Sequence, residues 1–275
     1  AQGDEAIVLE PSYDSYIPSV ISFGGVVRTV QLQPPLYAVD WDHVETLITQ
    51  RTKVIMTNTP HNPCGVVLSH DDLLRLEQIV LQYGLYLISD EVYEHIIFDG
   101  HRHESVLRYP ELYKRSMVIF SFGKSLHVTG WKMGYVIAPP ALTKEFRKIH
   151  QFNVFSVNKP LQVGISNYIR QYVDFNALSS FYQDKRDLFV RLMKDIPLRF
   201  LPCSGSYFIL ADYSGVSGED DLTFAKKLTT DAGVATIPLS PFYRQGSEEK
   251  IIRFCFAKRE ETLIEAAGRL KAYFR

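Results

Sequence analysis

Met117-Val118-Ile119-Phe120-Ser121-Phe122-Gly123-Lys124 is an apolar run that closes on a hydroxyl, a glycine and a lysine. Consecutive apolar residues bounded by polar ones predict a buried strand, so Ser121 and Lys124 fall at or just past its carboxyl end. Lys132 follows eight positions later, in Gly130-Trp131-Lys132-Met133-Gly134-Tyr135. A lone lysine is most often a solvated surface residue. Two lysines and a hydroxyl around one strand end also suit a phosphorylated aldehyde, which needs one amine able to form an imine and a separate cation that stays charged for the phosphate.

Two upstream runs repeat the pattern. Tyr86-Leu87-Ile88-Ser89-Asp90-Glu91-Val92-Tyr93 ends by presenting Asp90 and, three residues on, Tyr93. Val54-Ile55-Met56-Thr57 runs into Asn58-Thr59-Pro60-His61-Asn62-Pro63-Cys64-Gly65, whose prolines, asparagines and glycine reverse the chain. Three strands thus each deliver polar side chains beyond their carboxyl ends, the edge of an open α/β sheet where ligands bind. Blander readings stand beside this one: Asp90 as a helix N-cap, Asn62 to Gly65 as an ordinary β-turn, and Arg253 as a surface arginine. Glu91 has no assigned chemistry.

Outward from these runs the chain alternates strands and helices, the pattern of an α/β protein with a sheet covered by helices. Strands are expected at 6–9, 26–32, 54–57, 86–89, 117–121 and 134–138. A helix over 71–83 carries apolar residues at helical spacing after a plausible cap, Ser69. From about Val157 a long helical passage runs to Ile196, followed by strands at 207–211, 234–237 and 251–255 and helices at 221–230 and 260–274. This divides the chain into a major domain, 1–156, and a connecting helix with a smaller C-terminal α+β domain, 157–275.

Taken in order, these segments resemble the pyridoxal-phosphate-dependent aminotransferases of classes I and II, the aspartate aminotransferase fold. The resemblance covers essentially the whole chain, through Arg253-Phe254-Cys255-Phe256-Ala257. It is strongest to the branch with the methionine and kynurenine aminotransferases, where Gly-Lys replaces the commoner Ser-Lys and Trp-Lys the commoner Arg after the glycine. It implies a type I fold with a mostly parallel, seven-stranded sheet flanked by helices, and pyridoxal 5'-phosphate as cofactor. It makes Lys124 the Schiff-base lysine and proton carrier, and Asp90 the partner of the pyridine nitrogen. Asn62 and Tyr93 would bond the phenolic oxygen, Ser121 and Lys132 the phosphate, and Tyr13 would stack on the ring. Arg253, with Asn62 beside it, would hold the substrate's carboxylate. A lysine at 132 offers the phosphate a point charge where an arginine would offer a two-pronged clamp.

The resemblance further implies a homodimer with active sites at the subunit interface, and His150-Gln151-Phe152-Asn153-Val154-Phe155 occupies the stretch expected to border the partner's site. An amphipathic core helix accounts for that stretch equally well. Relatives carry a long region before the first strand, with a substrate loop and a helix end for the phosphate. The chain, opening at Ala1-Gln2-Gly3-Asp4-Glu5, is therefore expected to be N-terminally truncated.

At 275 residues the chain can bury a full core. A net charge of −1 gives no basic field for nucleic acid or anionic lipid, and no apolar run reaches a membrane-spanning length, so neither nucleic acid nor membrane is an expected partner. Three widely spaced cysteines, Cys64, Cys203 and Cys255, favour a reducing compartment, with the cytoplasm as default. His95, His101 and His103 lack the spacing of a zinc motif and are expected in a polar surface loop. The expected activity is transfer of an amino group between an amino acid and a 2-oxo acid, with methionine, aromatic amino acids or kynurenine favoured and Tyr13, Tyr16 and Phe155 at the site margin. The alternatives are β-elimination from cysteine conjugates or cystathionine with the same cofactor, and a noncatalytic ligand-sensing or association module.

Overall fold

The computed structural model describes residues 1–275 and contains two sheets. The strands are β1 (Glu5–Glu10), β2 (Val26–Gln31), β3 (Thr52–Asn58), β4 (Tyr86–Asp90), β5 (Ser116–Ser121), β6 (Gly134–Ile137), β7 (Arg199–Phe200), β8 (Phe208–Asp212), β9 (Ile237–Pro238) and β10 (Ile251–Cys255). The larger sheet has the order β2-β1-β3-β4-β5-β6, parallel except for β6 at one edge. It has six strands, one fewer than the seven that the resemblance implies. The smaller sheet, β7-β8-β10-β9, is antiparallel.

The helices form where the sequence supplies caps and an apolar stripe. In His70–Gln82, Ser69 and Asp72 bond each other's backbone N–H, satisfying donors that the first turn leaves open. Leu73, Leu76, Ile79 and Val80 recur on one face and are fully buried against the larger sheet's core. The expected helical passage before Ile196 is broken at Val173-Asp174-Phe175, where the Asp174 carboxylate accepts from Asn176 N–H and starts a new helix, Asn176–Leu192. The strand expected from Val234 begins only at Ile237. Gly233 turns at φ +65°, and Val234 N–H donates back to Leu228 C=O, so this segment finishes a helix.

Two apolar cores result. One, of 27 buried residues, lies on the larger sheet and takes in Leu210 and Ile251 of the smaller one; the other, of 24, covers the rest of the smaller sheet. The C-terminal segment around Phe242 is tied to the carboxyl edge of β1: Ser12 N–H donates to Phe242 C=O, and the buried Glu10 accepts from Arg244 N–H at 2.6 Å. At the opposite end of β1, Glu5 is buried and held by Arg28, Thr49, Thr52 and Arg51; the Arg28 bond is the largest cause holding its carboxyl down at about 2.

The helix Pro140–Asn153 buries no residue within the chain, so it is not a core helix here; Phe152 and Phe155 are 83% and 87% exposed. No helix is long and apolar enough to cross a membrane. None of the three cysteines is paired.

Candidate active site

Strands β1, β3, β4 and β5 run parallel side by side, so their carboxyl ends share one edge, and each hands its following residues to the same region. After Ser121 the chain makes one helical turn, Phe122–Ser125, which carries Lys124 at the sheet edge. A Cβ at position 123 would lie 3.1 Å from Thr129 Cα and 3.2 Å from Ser121 Oγ, so close packing accounts for Gly123 beside the lysine. Lys124 Nζ stands 5.6 Å from the Tyr93 ring centre and 5.8 Å from that of Tyr207. A cavity of about 510 Å³ opens beside it, lined also by His127, Tyr182, Lys185 and Arg259.

Asp90 closes β4. Its Oδ2 accepts from Tyr16 O–H at 2.5 Å and its Oδ1 from Val92 N–H at 3.2 Å. Burial pushes its carboxyl up, while the Tyr16 bond, the Val92 N–H and the charge of Lys124 pull it back. Burial, then the charge of Asp90, pushes the Tyr16 hydroxyl well above its usual range, which keeps it a donor. No helix follows Asp90 directly, so it is not an N-cap; the chain turns at once through residues 91–95.

Asn58, at the end of β3, locks two of these elements together. Its Oδ1 accepts from Asn62 N–H at 2.7 Å and its Nδ2 donates to Asp90 C=O at 2.9 Å. Asn62 Oδ1 in turn accepts from Arg253 Nη1 at 2.6 Å, reaching across from β10 in the smaller sheet. The Arg253 guanidinium sits 3.9 Å from the Phe208 ring centre and 4.9 Å from that of Phe242, a position in which its stem and plane are held by aromatic faces. Burial lowers its pKa from the ordinary value. Tyr93 is buried and meets Tyr207 edge-on at 5.1 Å, and burial pushes its phenol well up.

Lys124, Asp90, Tyr93, Asn62 and Arg253 thus converge. Ser121 and Lys132 belong to the same corner: Ser121 pairs with Gly134, and Phe122 N–H donates to Met133 C=O, folding the loop that bears Lys132 back toward the end of β5. Lys132 is exposed, with a left-handed backbone (φ +54°). Tyr13 is 43% exposed, its ring centre 5.6 Å from that of Tyr16. Tyr16, expected at the substrate margin, is instead the hydrogen-bond partner of Asp90, and Phe155 points its ring to solvent.

Four residues outside the expected set complete the region: Asn58, Tyr207, Glu91 and His103. The spacing of Tyr16, one helical turn past Tyr13, signals its proximity, whereas Asn58 and His103 act through contacts that only the fold creates. The expectation of a polar surface loop for the histidines holds for exposed His101. It does not hold for His103, whose Nε2 lies 2.7 Å from the buried Glu91, or for His95, which stacks on Phe175 at 4.3 Å.

Residues 1–270 match the family "Aminotransferase class I and II". The chain is 46% identical to the methionine aminotransferase of Escherichia coli, over 98% of this chain and 70% of that protein. It is 32% identical to human kynurenine–oxoglutarate transaminase 3, over 99% of this chain and 66% of that one. The fold superposes with a TM-score of 0.96 on an Escherichia coli structure reported with a methionine aminotransferase function, at 46% identity, covering 98% of this chain and 72% of that one. The shared fold and near-complete coverage lead to one conclusion: the chain belongs to the class I and II aminotransferases.

Proposed function

We propose that this chain carries the reaction centre of a pyridoxal-phosphate-dependent aminotransferase that moves an amino group between an amino acid and a 2-oxo acid. The observation that carries the proposal is the joint placement of the Lys124 amine, the enclosed Asp90 carboxylate and the Asn62-bound Arg253 guanidinium at one sheet edge. The residues fit the cofactor. Lys124 bonds no other side chain, the Ser121 hydroxyl has no hydrogen-bond partner, and Asp90 is a half-buried carboxylate with two donors already in place.

When bound, pyridoxal phosphate supplies an electrophilic carbonyl and an electron-withdrawing ring. The chain does the rest. Asp90 would hold the ring nitrogen and its proton, with Tyr16 fixing the carboxylate's direction. Asn62 and Tyr93 would bond the phenolic oxygen, Tyr13 would cover the ring, and Ser121 with Lys132 would hold the phosphate. Arg253 grips the substrate's α-carboxylate in a planar fork, with Asn62 alongside, so that the bond to be broken is oriented rather than free to rotate. Lys124 then moves the proton as general base and acid.

Methionine, aromatic amino acids and kynurenine are the donors proposed, in line with the names of the relatives. The proposal includes a homodimer with residues 150–155 at the partner's site, for which the outward Phe152 and Phe155 are the support, a cytoplasmic setting, and a domain division near residue 156. The test is to incubate the full-length protein with cofactor, methionine or kynurenine, and a 2-oxo acid. Oxo-acid-dependent amino transfer is the expected result; release of ammonia with a 2-oxo product and no amino acid formed would overturn transfer in favour of elimination.

A further inference from the structure

Glu91 is 0% exposed, immediately follows Asp90, and has no part in the chemistry above. A buried carboxylate is costly unless its oxygens are satisfied. Here they are, from three directions. Oε1 accepts from Val106 N–H at 3.0 Å and Ser89 O–H at 3.0 Å, and Oε2 faces His103 Nε2 at 2.7 Å. Behind Ser89 stands Thr57, whose hydroxyl is 3.5 Å from Ser89 Oγ, so a buried polar line crosses from β3 through β4 to the segment 103–106. The Glu91 backbone is fixed as well, its N–H donating to Ile119 C=O of β5 and its C=O accepting from Glu94 N–H.

Side chains alternate along extended chain. Ser89 and Glu91 therefore point away from the face on which Asp90 meets Tyr16. Anchoring residues 89 and 91 on the far side fixes the residue between them on the near side. The same anchor begins the turn that delivers Tyr93. The His103 ring is the one side-chain nitrogen donor to this carboxylate, and its Nδ1 is buried with no partner.

From these contacts we infer that Glu91, clamped by His103, is a positioning residue for the cofactor-facing carboxylate of Asp90. This rests on the reading of Asp90 as the partner of the ring nitrogen. The charge of Glu91 by itself pushes the Asp90 carboxyl up, against the ionised form, so what Glu91 contributes to Asp90 is position and not charge.

The experiment uses the full-length protein loaded with nitrogen-15-labelled pyridoxal phosphate. It measures the cofactor's dissociation constant, the ring-nitrogen resonance and the melting temperature in wild type, Glu91→Ala and Glu91→Gln. Outer partners of a binding group typically change affinity by about tenfold or more when removed. Glu91→Ala is expected to weaken cofactor binding about tenfold and to move the ring nitrogen toward its unprotonated signal. Glu91→Gln keeps the acceptor for Val106, and its amide can donate to Nε2 of the other His103 tautomer, so it is expected to stay near wild type. Should Glu91→Ala fail to fold, His103→Ala removes the clamp from a less buried position and is expected to shift both signals in the same direction. A lowered melting temperature with wild-type affinity and an unmoved ring-nitrogen signal in either alanine variant overturns the inference. A wild-type protein that holds no cofactor overturns the reading of Asp90, and this inference with it.

Discussion

Replacing Tyr16 by phenylalanine removes one hydroxyl and leaves the ring that packs against Tyr13. In the structure that hydroxyl is the sole side-chain donor to Asp90, at 2.5 Å, and without it the carboxylate keeps only the longer contact from Val92 N–H at 3.2 Å. A hydrogen bond to a charged group contributes about 1.5–3 kcal/mol, and losing it raises the Asp90 carboxyl further. Asp90 already sits above its usual range through burial, so the added shift takes it further from the ionised form that a ring-nitrogen partner must have. Equilibrium titration of the full-length apoprotein with pyridoxal phosphate, followed by absorbance, reads the effect directly. We expect affinity to fall at least about tenfold, since 1.4 kcal/mol is a factor of ten. A Tyr16→Phe protein that binds within twofold of wild type would refute the reasoning, because the hydroxyl would then contribute nothing to the carboxylate it touches.

Arg253→Lys keeps the charge but loses the fork and the stacking on Phe208, so kcat/KM for an amino donor should fall by about 10- to 100-fold, the loss of one charge-assisted bond; a change below threefold argues against the carboxylate role. Burial holds His61 down at about 4. The unfolded chain, with a value of about 6.5, takes its proton first, so stability is full above about pH 6.5 and is lost as pH falls to about 4, by up to about 3 kcal/mol. Glu94, raised to about 6 by burial, acts with the opposite sign, its contribution being lost as pH rises through about 6. It and the lowered Glu5 carboxyl each act equally in both proteins, so urea unfolding of wild type and His61→Gln should show a larger loss between about pH 6.5 and 4 in wild type; parallel pH profiles would contradict it. Leu76→Ala opens a cavity at a fully buried position of the larger core and should cost about 2–5 kcal/mol in the same unfolding assay, a cost under about 1 kcal/mol being evidence against tight packing there.

The sheet and its functional edge were legible because each strand is a short apolar run ending in residues that cannot continue it. Ile251–Cys255 and the cap at Ser69 match the sequence expectation closely, since local chemistry alone sets both. The expectation ran two residues or more wide where a cap decides the boundary: Asp174 restarts a helix inside an otherwise continuous helical pattern, and Gly233 delays a strand. At the site, Lys124, Asp90 and Tyr93 lie at strand ends that sequence periodicity marks. The Tyr16–Asp90 and Arg253–Asn62 bonds join residues 74 and 191 positions apart, and no local pattern encodes such meetings. Glu91 and His103 escaped for the same reason: a glutamate beside an aspartate and a histidine among surface-like residues acquire a joint meaning only when the chain buries them together.

The account depends on a covalent bond between the cofactor and one particular amine. Full-length protein incubated with pyridoxal phosphate, reduced with borohydride and digested, can be mapped by peptide mass spectrometry. A pyridoxyl group on the peptide containing Lys124, and its loss in Lys124→Ala, is the expected result. Labelling at Lys132 or elsewhere with Lys124 unmodified would contradict it.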